Sequence, residues 1–123
     1  MRDFIIKRCS KCGATVKVLK ECENSNISCC GDKMQTLVPN SVDAAIEKHV
    51  PTYEIKDGKI FVKVDHVMEE DHYIEWINIA FGEKDVTTYL APGKNAVAHC
   101  KYVPGSTVYA YCNKHGLWKI DVK

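Results

Sequence analysis

The chain has no surplus of either charge. In 123 residues, 17 Lys and Arg stand against 16 Asp and Glu, for a formal net charge of +1. A nucleic-acid backbone calls for a clustered cationic surface, and a chain held open by self-repulsion needs a large imbalance, so both classes are excluded. Long apolar runs are missing as well. Mean hydropathy is −0.25 and charges interrupt every long stretch, so no segment qualifies as a membrane-spanning helix. The start, Met1-Arg2-Asp3-Phe4-Ile5-Ile6-Lys7-Arg8, sets charge on both sides of three apolar residues and offers no small-residue cleavage site. It does not read as a secretory signal, and the expected location is cytoplasmic. There is no internal repeat, no low-complexity segment and no sustained helical period.

What the chain does have is cysteine: seven, an odd number, together with five histidines. In a reducing compartment a disulfide framework is not expected, and cysteines serve as metal ligands, redox groups or small buried hydrophobes. The two residue types are segregated. Cys9, Cys12, Cys22, Cys29 and Cys30 precede residue 31, whereas His49, His66, His72, His99 and His115 all follow residue 48, with Cys100 and Cys112. Two chemistries on two stretches of chain predict two domains, 1–37 and 38–123.

Residues 1–37 contain alternating segments such as Thr15-Val16-Lys17-Val18-Leu19, which read as short strands, with Gly13 and Gly31 placed for turns. The apolar side chains are too few for a core, so a metal is expected to staple this unit. In the connector, Ser41 is expected to cap a helical turn through Asp43, Ala44, Ala45 and Ile46, ending before Val50 because Pro51 follows. Beyond residue 52 the segments Ile60–Val64, Ile74–Phe81, Thr87–Leu90, Ala96–Val103, Thr107–Cys112 and Trp118–Val122 are rich in Val, Ile, Tyr, Thr and Trp. Turn pairs such as Asp57-Gly58, Pro92-Gly93 and Pro104-Gly105 separate them. The fold class is therefore mainly β, a small metal-stapled domain followed by an immunoglobulin-like antiparallel β-sandwich. The side-chain parity changes within 74–81, between Trp76 and Ile77, which predicts a bulge there.

Cys9-x2-Cys12 and the pair Cys29-Cys30 make a four-thiolate set, suited to zinc or to a mononuclear iron. Adjacent side chains diverge, so the Cys29-Cys30 pair is expected to distort a tetrahedron; Cys22 reads as a loop or packing thiol. In the C-terminal part, Cys112-Asn113-Lys114-His115-Gly116 puts a thiol and an imidazole three residues apart, and His66 and His72 bracket the polar segment 67–71. Imidazoles with one thiolate suit iron, copper or zinc. Copper is disfavoured because no methionine follows His115 within a few residues. On strand 107–112, Val108, Ala110 and Cys112 share the inward face and Tyr109 and Tyr111 the other. His99 and Cys100 read as packing or surface residues.

Three segments carry a resemblance. Glu47-Lys48-His49-Val50-Pro51 is similar to the E-K-H-x-P motif of superoxide reductases. His66-Val67-Met68-Glu69-Glu70-Asp71-His72-Tyr73-Ile74 resembles their H-P-M-x-x-x-H-Y-I segment, with Val67 at the usual proline, and Cys112-Asn113-Lys114-His115-Gly116-Leu117-Trp118 resembles C-N-x-H-G-L-W. The four N-terminal cysteines resemble the desulforedoxin-type domain of the two-iron desulfoferrodoxins, and the remainder their neelaredoxin-like domain. The resemblance implies two mononuclear non-haem irons per chain, with zinc an alternative at the four-cysteine site. It implies iron held by His49, His66, His72 and His115 in a plane, an axial Cys112 and an open sixth position. The implied reaction is one-electron reduction of superoxide to hydrogen peroxide without release of oxygen. Lys48 would attract the anion and order a proton-donating water, and Glu47 would occupy the sixth position of the oxidised iron. A rubredoxin-type electron donor and a homodimer are implied too. Two other classes compete: a non-enzymatic rubredoxin-like electron carrier, which needs no open position, and a zinc-stapled binding module, whose histidines would be incidental.

Overall fold

The computed structural model describes residues 4–24, 26–44 and 46–123, except for the side chain of Glu47. Contacts divide the chain between Val38 and Pro39 into two units. Among the described residues no helix is long and apolar enough to cross a membrane.

The N-terminal unit is built from β1 (Ile5–Arg8), β2 (Thr15–Val18), β3 (Ser28–Cys29), β4 (Asp32–Lys33) and β5 (Gln35–Thr36). β1 pairs antiparallel with β2 on one side and β5 on the other, and β3 and β4 form a separate hairpin. Among its described residues the apolar interior is Ile6, Val18 and Met34 beside the buried Cys9, which is little for a unit of this size. Lys7 is buried too, its ammonium 2.8 Å from Glu21.

The C-terminal unit is an antiparallel sandwich. One sheet contains β6 (Thr52–Lys56), β7 (Lys59–Lys63) and β10 (Val97–Lys101) in the order β10-β7-β6. The other contains β8 (Ile74–Phe81), β9 (Lys84–Tyr89), β11 (Thr107–Cys112) and β12 (Gly116–Asp121) in the order β12-β11-β8-β9. The core lies between the sheets: Ile60, Val62, Val64 and Ala98 face Ile74, Ile77, Ile79, Val108 and Ala110. Alternation along each strand delivers these residues to one side.

The parity change in 74–81 is a bulge. Tyr111 pairs with Trp76 but Cys112 pairs with Ile74, so Glu75 is the extra residue on β8. The bulge lets Ile74 and Ile77 face the same core although their spacing is odd. Two expectations need correction. The helical turn is a single 3-10 turn at Ile46–Lys48, later than the 43–46 expected, and Ala45 lies outside the described residues. Tyr111, assigned to the outward face, is only 1% exposed, because Trp76 stacks on it at 5.6 Å and 14°.

Register puts five chain positions at one end of the sandwich. Thr52, which opens β6, pairs with Lys63, which closes β7; Cys112, which closes β11, pairs with both Gly116 and Ile74. The segments that enter or leave these positions, 46–51, 64–73 and 112–116, hold every histidine of the resemblance. Core packing is what keeps that end in order. Ile77→Ala, at a fully buried position, should lower the unfolding free energy of the sandwich by about 2–5 kcal/mol, read from urea denaturation.

Candidate metal centres

In the N-terminal unit, Cys9 and Cys12 lie on a knuckle closed by Cys9 N–H donating to Ala14 O (2.9 Å) and Gly13 N–H to Cys9 O (3.0 Å). Cys29 ends β3 and Cys30 opens the two-residue turn to β4. Cys30 and Gly31 both have positive φ, 53° and 82°, as a type I′ hairpin turn requires. That left-handed Cys30 overcomes the expected divergence of adjacent side chains: Cys29 Sγ is 3.8 Å from Cys30 Sγ and 3.6 Å from Cys12 Sγ. Thiolates about 2.3 Å from one tetrahedral ion stand about 3.8 Å apart, so the sulfurs are spaced for a metal without rearrangement. All four lie within 4.8 Å of one another. The Cys12 and Lys11 amides draw the Cys9 thiol down to about 6, and the Cys12 and Cys9 sulfurs push Cys29 up to about 12. Four anionic sulfurs this close need a cation between them. The exposed Cys22 is not among them.

The second centre gathers His49, His66, His72, Cys112 and His115, again with ligand atoms within 4.8 Å of one another. The imidazoles form a closed ring. His49 meets His66 at 4.7 Å, His66 meets His72 at 4.7 Å, His72 meets His115 at 5.1 Å and His115 meets His49 at 4.8 Å, each neighbouring pair steeply inclined. Cys112 Sγ is 3.5 Å from His66 Nε2 and 3.9 Å from His115 Nδ1, which are opposite corners, so the sulfur belongs to the axis of the ring.

Each ligand has a local support. His49 follows the 3-10 turn, whose Ile46 carbonyl accepts both the His49 and Val50 N–H, and its ring stacks on Trp118 at 4.9 Å. Trp118 in turn donates its indole N–H to His115 O at 3.0 Å. His66 donates Nδ1–H to the Val67 carbonyl, which fixes the tautomer and leaves the Nε2 lone pair facing the ring. His72 closes a tight turn through paired backbone bonds with Glu69, 3.0 and 3.2 Å.

The donor set fits a metal. His72 Nε2 is buried without a hydrogen-bond partner, a costly state that an ion would relieve. His49 Nε2 and His115 Nδ1 are 3.0 Å apart, close to the separation of two nitrogens each about 2.1 Å from one ion and at right angles about it. Burial pulls His66 and His115 down from the usual histidine range, which favours the neutral form that ligates. Burial also pushes the Cys112 thiol up, opposed by the Lys114 and His115 amides. Four imidazoles and one thiolate suit an ion of intermediate softness such as iron.

The structure therefore brings together all nine cysteine and histidine ligands expected from the sequence. Lys48 is exposed at the end of the 3-10 turn and the side chain of Glu47 lies outside the described residues. His99 is exposed, its ring 5.7 Å from Phe61, and Cys100 is half-buried with its thiol toward Lys101 O, so neither joins a centre. Sequence reasoning missed the supports: Trp118 beneath His49, and Asn40, whose side chain bonds both the N–H and the carbonyl of Lys119 (2.9 and 3.2 Å) and ties the connector to β12. The C-N-x-H-G-L-W segment contained Trp118, but only packing gives it a role. Because the Cys112 thiol must lose its proton to ligate, ferrous affinity of the five-residue site should rise about tenfold per pH unit between pH 6 and 8. Competition with a chelator of known affinity measures this, and a flat profile would remove the sulfur from the ligand set.

Comparison with known proteins agrees with this geometry. The sequence profile of the family described as Desulfoferrodoxin matches residues 41–121. A desulfoferrodoxin of Syntrophotalea carbinolica is 41% identical over 120 residues, covering 94% of each chain. The superoxide reductase of Treponema pallidum has the same fold, with a TM-score of 0.74 at 22% identity over 94% of this chain and 98% of that one. A one-iron superoxide reductase of Giardia intestinalis matches at a TM-score of 0.54 and 26% identity, over 63% of this chain and 98% of its own. A four-cysteine set in the N-terminal unit, a histidine–cysteine set on the sandwich, and a match that spans nearly the whole of a curated relative place the chain in the desulfoferrodoxin family.

Proposed function

We infer that the protein is a superoxide reductase, which converts superoxide, one electron and two protons into hydrogen peroxide. The observation that carries the reading is the closed ring of four histidines with a buried sulfur on its axis. Among the described residues five ligand atoms converge, one fewer than an octahedral ion accepts, and the remaining position suits a small anion. A pure electron carrier needs no such position and a binding module needs no such ring. The Giardia intestinalis protein, similar over 63% of this chain, bears the name superoxide reductase.

Iron bound by His49, His66, His72, His115 and Cys112 would supply the single electron. The protein's own contribution is electrostatic and protective. Cys112, fully buried at the end of the core, is shielded from oxidants, and the Lys114 and His115 amides stabilise its thiolate. A thiolate donor raises electron density at a metal and favours outward electron transfer. Burial disfavours the protonated forms of His66 and His115, so less proton displacement opposes an incoming ion.

Lys48 directly precedes His49 and is exposed, as a residue that attracts superoxide and orders a proton-donating water should be. Glu47 is assigned the carboxylate role that the family motif implies. The four-cysteine site holds the second iron, or zinc. We further propose a rubredoxin-type donor, a homodimer and a cytoplasmic location. Family membership supports the first two, and the reduced thiols that both centres require support the third.

Single-turnover mixing of the reduced protein with superoxide tests the reading. One hydrogen peroxide should form per superoxide consumed and no oxygen should appear; half a peroxide with oxygen evolved would mean dismutation instead. In the same assay Lys48→Ala should slow the bimolecular step roughly tenfold and flatten its ionic-strength dependence, with iron content unchanged. An unaltered rate constant would sink the steering role.

A further inference from the structure

The two segments that carry four of the five ligands of the second centre, 66–72 and 112–115, are joined by two side chains that are not ligands: Lys114, in an exposed ion pair with Asp71 at 3.8 Å, and Asn113, which holds backbone. Asn113 accepts a hydrogen bond at Oδ1 from Tyr73 N–H (3.0 Å) and donates one from Nδ2 to Asp71 O (2.9 Å). Its own backbone N–H donates to Tyr73 O at 3.2 Å. The residues on either side of His72 are thus both held by a residue that directly follows Cys112.

We propose that Asn113 is the positioning residue that sets His72 against Cys112 and His115. The chemistry of the amide is what the place demands. The peptide units to be held present one N–H and one C=O, and a planar carboxamide offers one acceptor and one donor at matching spacing. Aspartate satisfies only the Tyr73 amide, and alanine satisfies neither. The need is specific to His72: its Nε2 is buried with no hydrogen-bond partner, so its place in the ring depends on the backbone at its flanks. His49, by contrast, has the stacked Trp118, and His66 the Val67 carbonyl. Neighbours that orient a ligand in this way typically account for 10–100-fold in metal affinity.

The proposal rests on the metal-centre reading and not on superoxide chemistry, and its test reads iron. Reduced full-length protein loaded with isotopically enriched iron is challenged with a ferrous chelator, and Mössbauer spectra count iron separately at the four-thiolate and the mixed nitrogen–sulfur site. Asn113→Ala should release iron from the mixed site about 10–100-fold faster, Asn113→Asp by an intermediate factor, with the four-thiolate iron serving as an unmoved control. In a His72→Ala background Asn113→Ala should add less than about twofold, because the ligand it positions is gone. Wild-type release rates in Asn113→Ala, full acceleration without His72, or equal loss from both sites would each overturn the proposal. Failure of the unaltered protein to hold iron at the mixed site would instead overturn the metal-centre reading and the proposal with it.

Discussion

The burial of one sulfur at the end of β11 is the constraint on which the C-terminal unit depends. Cys112 belongs to the sandwich core, fully buried beside Val108 and Ala110, and its sulfur also lies on the axis of the histidine ring. A strand has a period of two, so a one-residue slip of β11 would turn Cys112 to the opposite face and take the ligand out of the site. The register is held by pairing on both sides, to β12 through Gly116 and to β8 through Ile74. The bulge at Glu75 reconciles the two demands on β8: it keeps Ile74 in the core opposite Cys112 and Ile77 in the core opposite Ala110. Hydrophobic packing and ligand placement are therefore one constraint in this molecule.

The N-terminal unit reverses that relation. Among its described residues three apolar side chains are buried besides Cys9, and its chemistry works against its folding when no metal is bound. Cys29 and Cys30 are pushed up by the sulfurs around them, while Cys9 is pulled down by amides, so crowding favours protons on Cys29 and Cys30. A cation removes those protons and turns mutual repulsion into shared attraction, which is how a unit below the size of an ordinary core becomes stable. The strained Cys30, at φ 53°, is the local cost of putting two neighbouring sulfurs on one ion.

Much of this was legible in the chain. The strands Ile74–Phe81 and Thr107–Cys112 were readable to the residue, because β-branched runs bounded by turn residues leave few alternatives. The parity change in β8 announced its bulge. The nine cysteines and histidines of the two clusters were readable as candidates because metal chemistry tolerates few residue types and the short spacings repeat a family pattern. The 3-10 turn was misplaced, since Ser41 and Pro51 bracket a segment in which several short turns satisfy the same local rules. Tyr111 was given to solvent because alternation predicts which face a residue takes, and not what lies over that face.

By itself, the sequence determined a β-rich chain in two parts, a four-thiolate site in the first and a histidine–cysteine site in the second, for these follow from residue type, local period and spacing. The family motifs implied the four-histidine plane with Cys112 on its axis; tertiary structure alone decided how three separate segments converge to close that ring. It also decided that Trp118 and Asn113 hold ligands they do not resemble. The physical reason is range. Propensity and spacing act over a few residues, whereas His49 and His115, 66 positions apart, come within 3.0 Å only because two sheets bury a common core and leave their connecting segments at the same end.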